Sequence, residues 1–232
     1  MSMTKAEVLA LLKNNRDERG TTYWQRQAST LKSYGIGLTV LRKLAKQIGR
    51  DHKLARQLWK SDCYDAKVIA LLIDDPKQIT RKQVEEQVDQ LADGMLLHVF
   101  ASCGSTVAKA PFAFQIADDW MSSDDSVRRR CGYSLLYELS KKNPKGMDDE
   151  YLMKRIEKIV DSIVGEEMWV REAMATALMG IGKRNRKLNI TAIRAAKKIG
   201  PIDVDYGNDN TCEPLDVLKH LTSDTMKKRF AT

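Results

Sequence analysis

The chain has 232 residues, 43% of them hydrophobic and 30% charged, which excludes a disordered polymer and allows one large core or a run of repeats. No apolar run reaches membrane-spanning length, and the first residues lack the basic leader, apolar core and small-residue cleavage site of a signal peptide, so neither feature is expected. The formal net charge of +8 favours a polyanionic partner; a solvated basic surface is the alternative that charge alone leaves open.

The spacing of apolar residues at three and four positions predicts helices near 4–14, 22–33, 38–48, 51–60, 64–73, 80–92, 94–103, 105–121, 125–142, 148–164, 167–182, 188–199 and 213–221. Alternating strand patterns are nearly absent. Asp74-Asp75-Pro76, Asn143-Pro144 and Gly200-Pro201 each end a run. Ser123-Asp124-Asp125 offers N-caps to the helix that follows. Residues 201–212 read as an irregular loop.

Cys63, Cys103, Cys131 and Cys212 are far apart and form no CxxC pair, so reduced thiols in a cytoplasmic protein are expected. His52, His98 and His220 are scattered as well, and no metal or other cofactor is expected.

One pattern repeats. Val170-Arg171 through Ala177-Leu178 matches Val127-Arg128 through Ser134-Leu135 at an offset of 43 residues, inside the period of HEAT and armadillo repeats. Looser echoes lie at residues 66–72 and near Trp24, with Ala28 and Leu31. The expected fold is therefore all-α: a curved superhelix of HEAT-like antiparallel helix pairs, in a single domain over residues 1–232. Arg128 and Arg171 have Asp124, Asp125, Glu166 and Glu167 within reach for a structural ladder.

On a helical wheel, Arg130, Tyr133 and Tyr137 share one face of the first repeat helix, and Ala173, Thr176 and Gly180 occupy the matching face of the second. Lys141 and Lys142 follow the first helix; Lys183, Arg184, Arg186 and Lys187 follow the second. Cations at helix C-termini also suit the dipole, and the tyrosines also suit a core, so both structural readings stand beside the functional one. A repeated basic edge beside small residues suits a phosphate backbone. No base-reading module is present, so contacts to phosphates are expected to dominate.

Further motifs carry a resemblance. Tyr34-Gly35-Ile36 precedes Leu41-Arg42-Lys43-Leu44-Ala45-Lys46; Phe100-Ala101-Ser102-Cys103-Gly104-Ser105 precedes Lys109; Arg129-Arg130 follows, then Val170 to Lys183. In this order they resemble the DNA alkylation repair family of HEAT-like-repeat DNA glycosylases, over roughly residues 5–222. The resemblance implies duplex DNA held on a concave helical face. It also implies excision of cationic 3- and 7-alkylpurines by glycosidic cleavage, with a carboxylate stabilising the oxocarbenium-like sugar and tryptophans packed on the lesion. Here Phe100 stands at the first tryptophan, Gly104 at the aspartate and Thr176 at the second tryptophan, while Arg130 matches. Residues 94–117 contain no Asp or Glu.

The expected function is thus duplex-DNA binding by a monomer with weak, altered or absent base excision. The expected DNA-binding residues are Arg130, Lys109, Phe100, Tyr133, Tyr137, Thr176, Lys183 and Arg184. Two alternatives remain open: an active glycosylase with its acid relocated to Asp118 or Asp119, and a HEAT-like protein-binding scaffold.

Overall fold

The computed structural model describes residues 3–27, 29–92, 94–102, 104–142, 144–205 and 213–231. Ala28, Asp93, Cys103, Asn143 and Cys212 lie outside them, as does most of the loop expected at 201–212. The described residues are all-α, with one isolated bridge between Lys32 and Cys63. They fall into two compact units, Met1–Pro111 and Phe112–Thr232. No helix among the described residues is long and apolar enough to cross a membrane.

The first unit holds α1 (Lys5–Asn14), α2 (Glu18–Gln25), α3 (Leu38–Ile48), α4 (His52–Trp59), α5 (Tyr64–Ile73), α6 (Arg81–Val88) and α7 (Leu96–Ala101). Nearly all of α5 is buried, and α1, α3, α4 and α7 pack around it. The fully buried Asp65 carboxylate accepts from the Ser33 hydroxyl and from the Tyr34 and Ile36 amides at 2.9, 2.7 and 3.1 Å. It holds the Tyr34-Gly35-Ile36 segment as a loop outside any helix. The helix expected at 22–33 is therefore shorter and earlier. Asp17 caps Glu18–Gln25, and Trp24 then turns its indole N–H onto the Leu31 carbonyl. The repeat echo near Trp24 is not a helical repeat. Leu41, Leu44 and Ala45 of the second motif bury their side chains, which explains their spacing.

The second unit holds α8 (Ala113–Trp120), α9 (Ser126–Ser140), α10 (Asp149–Ser162), α11 (Met168–Gly182), α12 (Arg186–Ile199), α13 (Val217–Leu221) and α14 (Asp224–Phe230). The helix expected at 105–121 is broken. A 3-10 turn at Val107–Lys109 precedes Pro111, and α8 begins only at Ala113. α14 was not expected. Asp125, Asp148 and Asn185 cap α9, α10 and α12 by accepting from the amide three residues on.

Two layers result in this unit. α8, α10 and α12 form one, tied by Tyr151 Oη and Arg155 Nη2 to Asp118 Oδ1 at 2.7 and 2.6 Å. α9, α11 and α13 form the other. α9 and α11 run parallel. At their N-terminal ends Arg129 makes a two-pronged ion pair with Glu166 (Nε–Oε1 and Nη2–Oε2 both 2.9 Å) and donates to the Ser123 and Asp124 carbonyls. This is a ladder contact of the kind expected of Arg128 and Arg171, made here by Arg129. At their C-terminal ends, a Cβ on Gly180 would lie 2.6 Å from both Ser140 Oγ and Tyr137 Cδ2, so a larger residue would wedge the helices apart.

Cys63 and Cys131 are free and buried. Burial pushes the Cys63 thiol up to about 11 and the Cys131 thiol upward as well, so neither is a reactive thiolate at neutral pH.

Candidate nucleic-acid interface

The repeat that the sequence shows at 43-residue spacing becomes two stripes side by side. Arg130, Tyr137 and Lys141 lie on one face of α9, seven and eleven residues apart. Trp169, Thr176, Gly180 and Lys183 lie on the facing stripe of α11. The run from Arg130 to Lys141 covers roughly 16 Å at the α-helical rise, about five base-pair steps of a duplex.

At one end, the Arg130 guanidinium carbon stands 4.6 Å from the centroid of the Trp169 ring. Trp169 is 36% exposed, and a cation held on an exposed ring of this kind gains about 0.5–1 kcal/mol. The pair sets a guanidinium over an aromatic ring that is itself partly open to solvent. Trp169 is a residue that sequence reasoning missed. Its signal is the interval of seven from Thr176, which puts both on one face.

At the other end is a recess of about 700 Å³ lined by Tyr137, Ser140, Lys141, Lys183 and Arg184, with Asp148, Asp149, Asn185 and Arg229. The Lys141 ammonium lies 4.0 Å from the Tyr137 ring centroid and 2.8 Å from the buried Glu138 carboxylate. Burial, and then the Lys141 charge, hold the Lys183 ammonium below its ordinary 10.5. Arg184 Nη2 donates to the Met147 carbonyl at 3.3 Å. The acids are engaged in structure: Asp148 caps α10, and Asp149 accepts from Asn185 Nδ2 at 2.9 Å. Burial and the Lys141 charge thus both disfavour the charged form of Lys183, an effect that a bound anion would offset.

The structure gathers Tyr137, Lys183 and Arg184 into this recess and sets Arg130 and half-buried Thr176 on the stripes leading to it. Two expected contact residues are corrected. Phe100 is 1% exposed, packed from α7 toward α5, and is a core residue of the first unit. Tyr133 is 2% exposed, because three residues from Arg130 on a helix is a 60° turn away, toward α10. Its hydroxyl meets Ser162, and burial pushes it up to about 12. Lys109 is exposed at the end of its 3-10 turn in the first unit.

Gly104 is exposed with φ +80°, a conformation that strains most residues with a Cβ. Asp118, one of the two expected substitutes for the missing acid, is occupied by Arg155 and Tyr151 in the α8–α10 layer. Asp119 is exposed on the same helix.

A family model described as DNA alkylation repair enzyme matches residues 6–207. Among curated proteins, the chain is similar to the uncharacterized protein Lmo0209 of Listeria monocytogenes, 25% identical over 201 residues and covering 83% of each chain. It is equally similar to the uncharacterized protein Lin0241 of Listeria innocua, with the same identity and coverage. A solved structure is similar over 98% of this chain and 96% of that one, with a TM-score of 0.83 and 21% identity. It is described as a new family of proteins related to the HEAT-like repeat DNA glycosylases, with affinity for branched DNA structures. That likeness establishes the HEAT-like helical fold.

Proposed function

Because the chain belongs to the DNA alkylation repair enzyme family, we propose that it binds duplex DNA along the paired stripes of α9 and α11, with little or no base excision. The observation that carries this reading is the recess at the ends of the two helices. Lys183 is held there, partly desolvated, close enough to Lys141 for the second charge to lower the affinity of the first for its proton. A phosphate between such groups removes the repulsion and releases its own counterions. Arg130 against Trp169 supplies a second contact, in which guanidinium and indole together suit a sugar-phosphate edge or an unstacked base.

The resemblance assigns stabilisation of the developing sugar cation to a carboxylate. This chain has Gly104 at that position, no acid from 94 to 117, and an Asp118 already committed to Arg155. Without a negative charge beside the sugar, the electrostatic part of the catalysis is missing, and that is usually the largest part. Binding is what remains.

The test is fluorescence anisotropy with a labelled duplex, a four-way junction and a single strand of matched composition. The junction belongs in the set because of the affinity described for the structural neighbour. Arg130→Ala is expected to weaken duplex binding by about 1–3 kcal/mol. Methylated duplex incubated with the protein is expected to release no more base than duplex alone. Unchanged affinity in Arg130→Ala would remove that residue from the interface. Robust excision would favour a relocated acid, and no duplex affinity even at low salt would favour a protein-binding scaffold.

A further inference from the structure

The recess has a wall that the family match does not contain. The matched segment ends at residue 207, whereas α13 and α14 begin at Val217 and Asp224. Arg229, in the last turn of α14, nevertheless lines the same recess as Lys141, Lys183 and Arg184.

Its placement is built into the packing. The buried Asn189 side chain donates through Nδ2 to the Gly182 carbonyl at 3.0 Å and to the Leu221 carbonyl at 3.3 Å. These are the last residues of α11 and α13, so one amide fastens the two helix ends together. Gly182 permits the closeness: a Cβ there would lie 2.8 Å from Leu221 Cδ2. The chain thus leaves α13 next to Lys183 and Arg184, and α14 starts after only Thr222 and Ser223. Met226 buries its side chain and seats the helix. Of the three basic residues in its last turn, Lys227 pairs with Asp224 on its own helix at 3.2 Å, while Arg229 lines the recess.

We infer that α14 is a part of the DNA interface, with Arg229 as the cation that closes the phosphate site of Lys141, Lys183 and Arg184 from the C-terminal side. This rests on the reading of α9 and α11 as a DNA-binding surface. The ligand is a phosphodiester of the DNA backbone. Three cations from α9, α11 and the turn after it form an open ridge; the fourth, from α14, turns the ridge into a pocket that a phosphate enters. A guanidinium suits this place because it can present two parallel N–H donors to phosphate oxygens.

The experiment uses the full chain and measures duplex affinity across a salt series for wild type, Lys183→Ala, Arg229→Ala and Arg229→Lys. Thermal unfolding of each variant confirms that it is folded, which the exposed position of Arg229 allows. Arg229→Ala is expected to lose about tenfold in affinity, and its log–log salt slope is expected to become shallower by about one. Arg229→Lys should recover the slope but only part of the affinity. A merely structural role would leave the slope unchanged. If Arg229→Ala binds as wild type does while Lys183→Ala is impaired, α14 is outside the interface and the α9–α11 reading stands. If the wild type shows no salt-dependent duplex binding, both fall together.

Discussion

Lys183 shows how a single group reports on the site around it. Burial first, and Lys141 second, disfavour its charged form. A bound phosphate favours that form and raises the pKa again, so binding takes up protons where the free ammonium has begun to titrate. The sign follows: duplex affinity should fall as pH rises through the lowered value, before ordinary lysines titrate. Lys183→Arg should flatten that limb, since guanidinium keeps its charge. Isothermal titration calorimetry in two alkaline buffers of different ionisation enthalpy checks this through the protons taken up; equal uptake in wild type and Lys183→Arg would rule it out. Residue identity alone carried part of this. Tyr137 was legible from the wheel, and Lys183 and Arg184 as cations that follow the second repeat helix. Tyr133 was not separable from Tyr137, because an aromatic at helical spacing reads the same whether it faces solvent or a neighbouring helix, and Phe100 was placed there by the family resemblance alone.

Among the helices, the legible part was the repeat itself. The 43-residue offset foretold that α9 and α11 are equivalent, and the room left by Gly180 is taken up by Tyr137 and Ser140. The Arg129–Glu166 pair was not foreseen beside the ladder expected of Arg128 and Arg171. A wheel gives angles and does not say which of two neighbouring cations meets Glu166. α14 was missed because it is only seven residues long and its apolar anchor is the single Met226. Its attachment depends on Asn189, whose amide spans two helix ends. Asn189→Ala leaves both carbonyls, Gly182 O and Leu221 O, without that donor and is expected to cost about 2–3 kcal/mol in urea unfolding. A loss below about 0.5 kcal/mol would show that this bond does not fasten α13 to α11.

For the whole molecule, the excess of +8 is a statement about long-range attraction to polyanions and not about where they bind. The two are separated by salt. If Arg130, Lys141, Lys183, Arg184 and Arg229 each meet a phosphate, the log–log slope of duplex affinity against salt should be about −3 to −5. A slope near −1 would indicate diffuse attraction without the cluster. Specificity between duplex and junction is then carried by geometry, since every DNA form supplies the same phosphates.

The sequence by itself determined the all-α class, the repeat and the acid-free stretch from 94 to 117, because helical periodicity, self-similarity and composition are local properties of the chain. Only the tertiary structure decided that Trp169 backs Arg130, that Asp118 is held by Arg155, and that Arg229 returns to a recess formed by residues far before it in the chain. Those pairings arise where separate helices pack, and their partners are set by interfaces between elements that no single stretch of sequence contains.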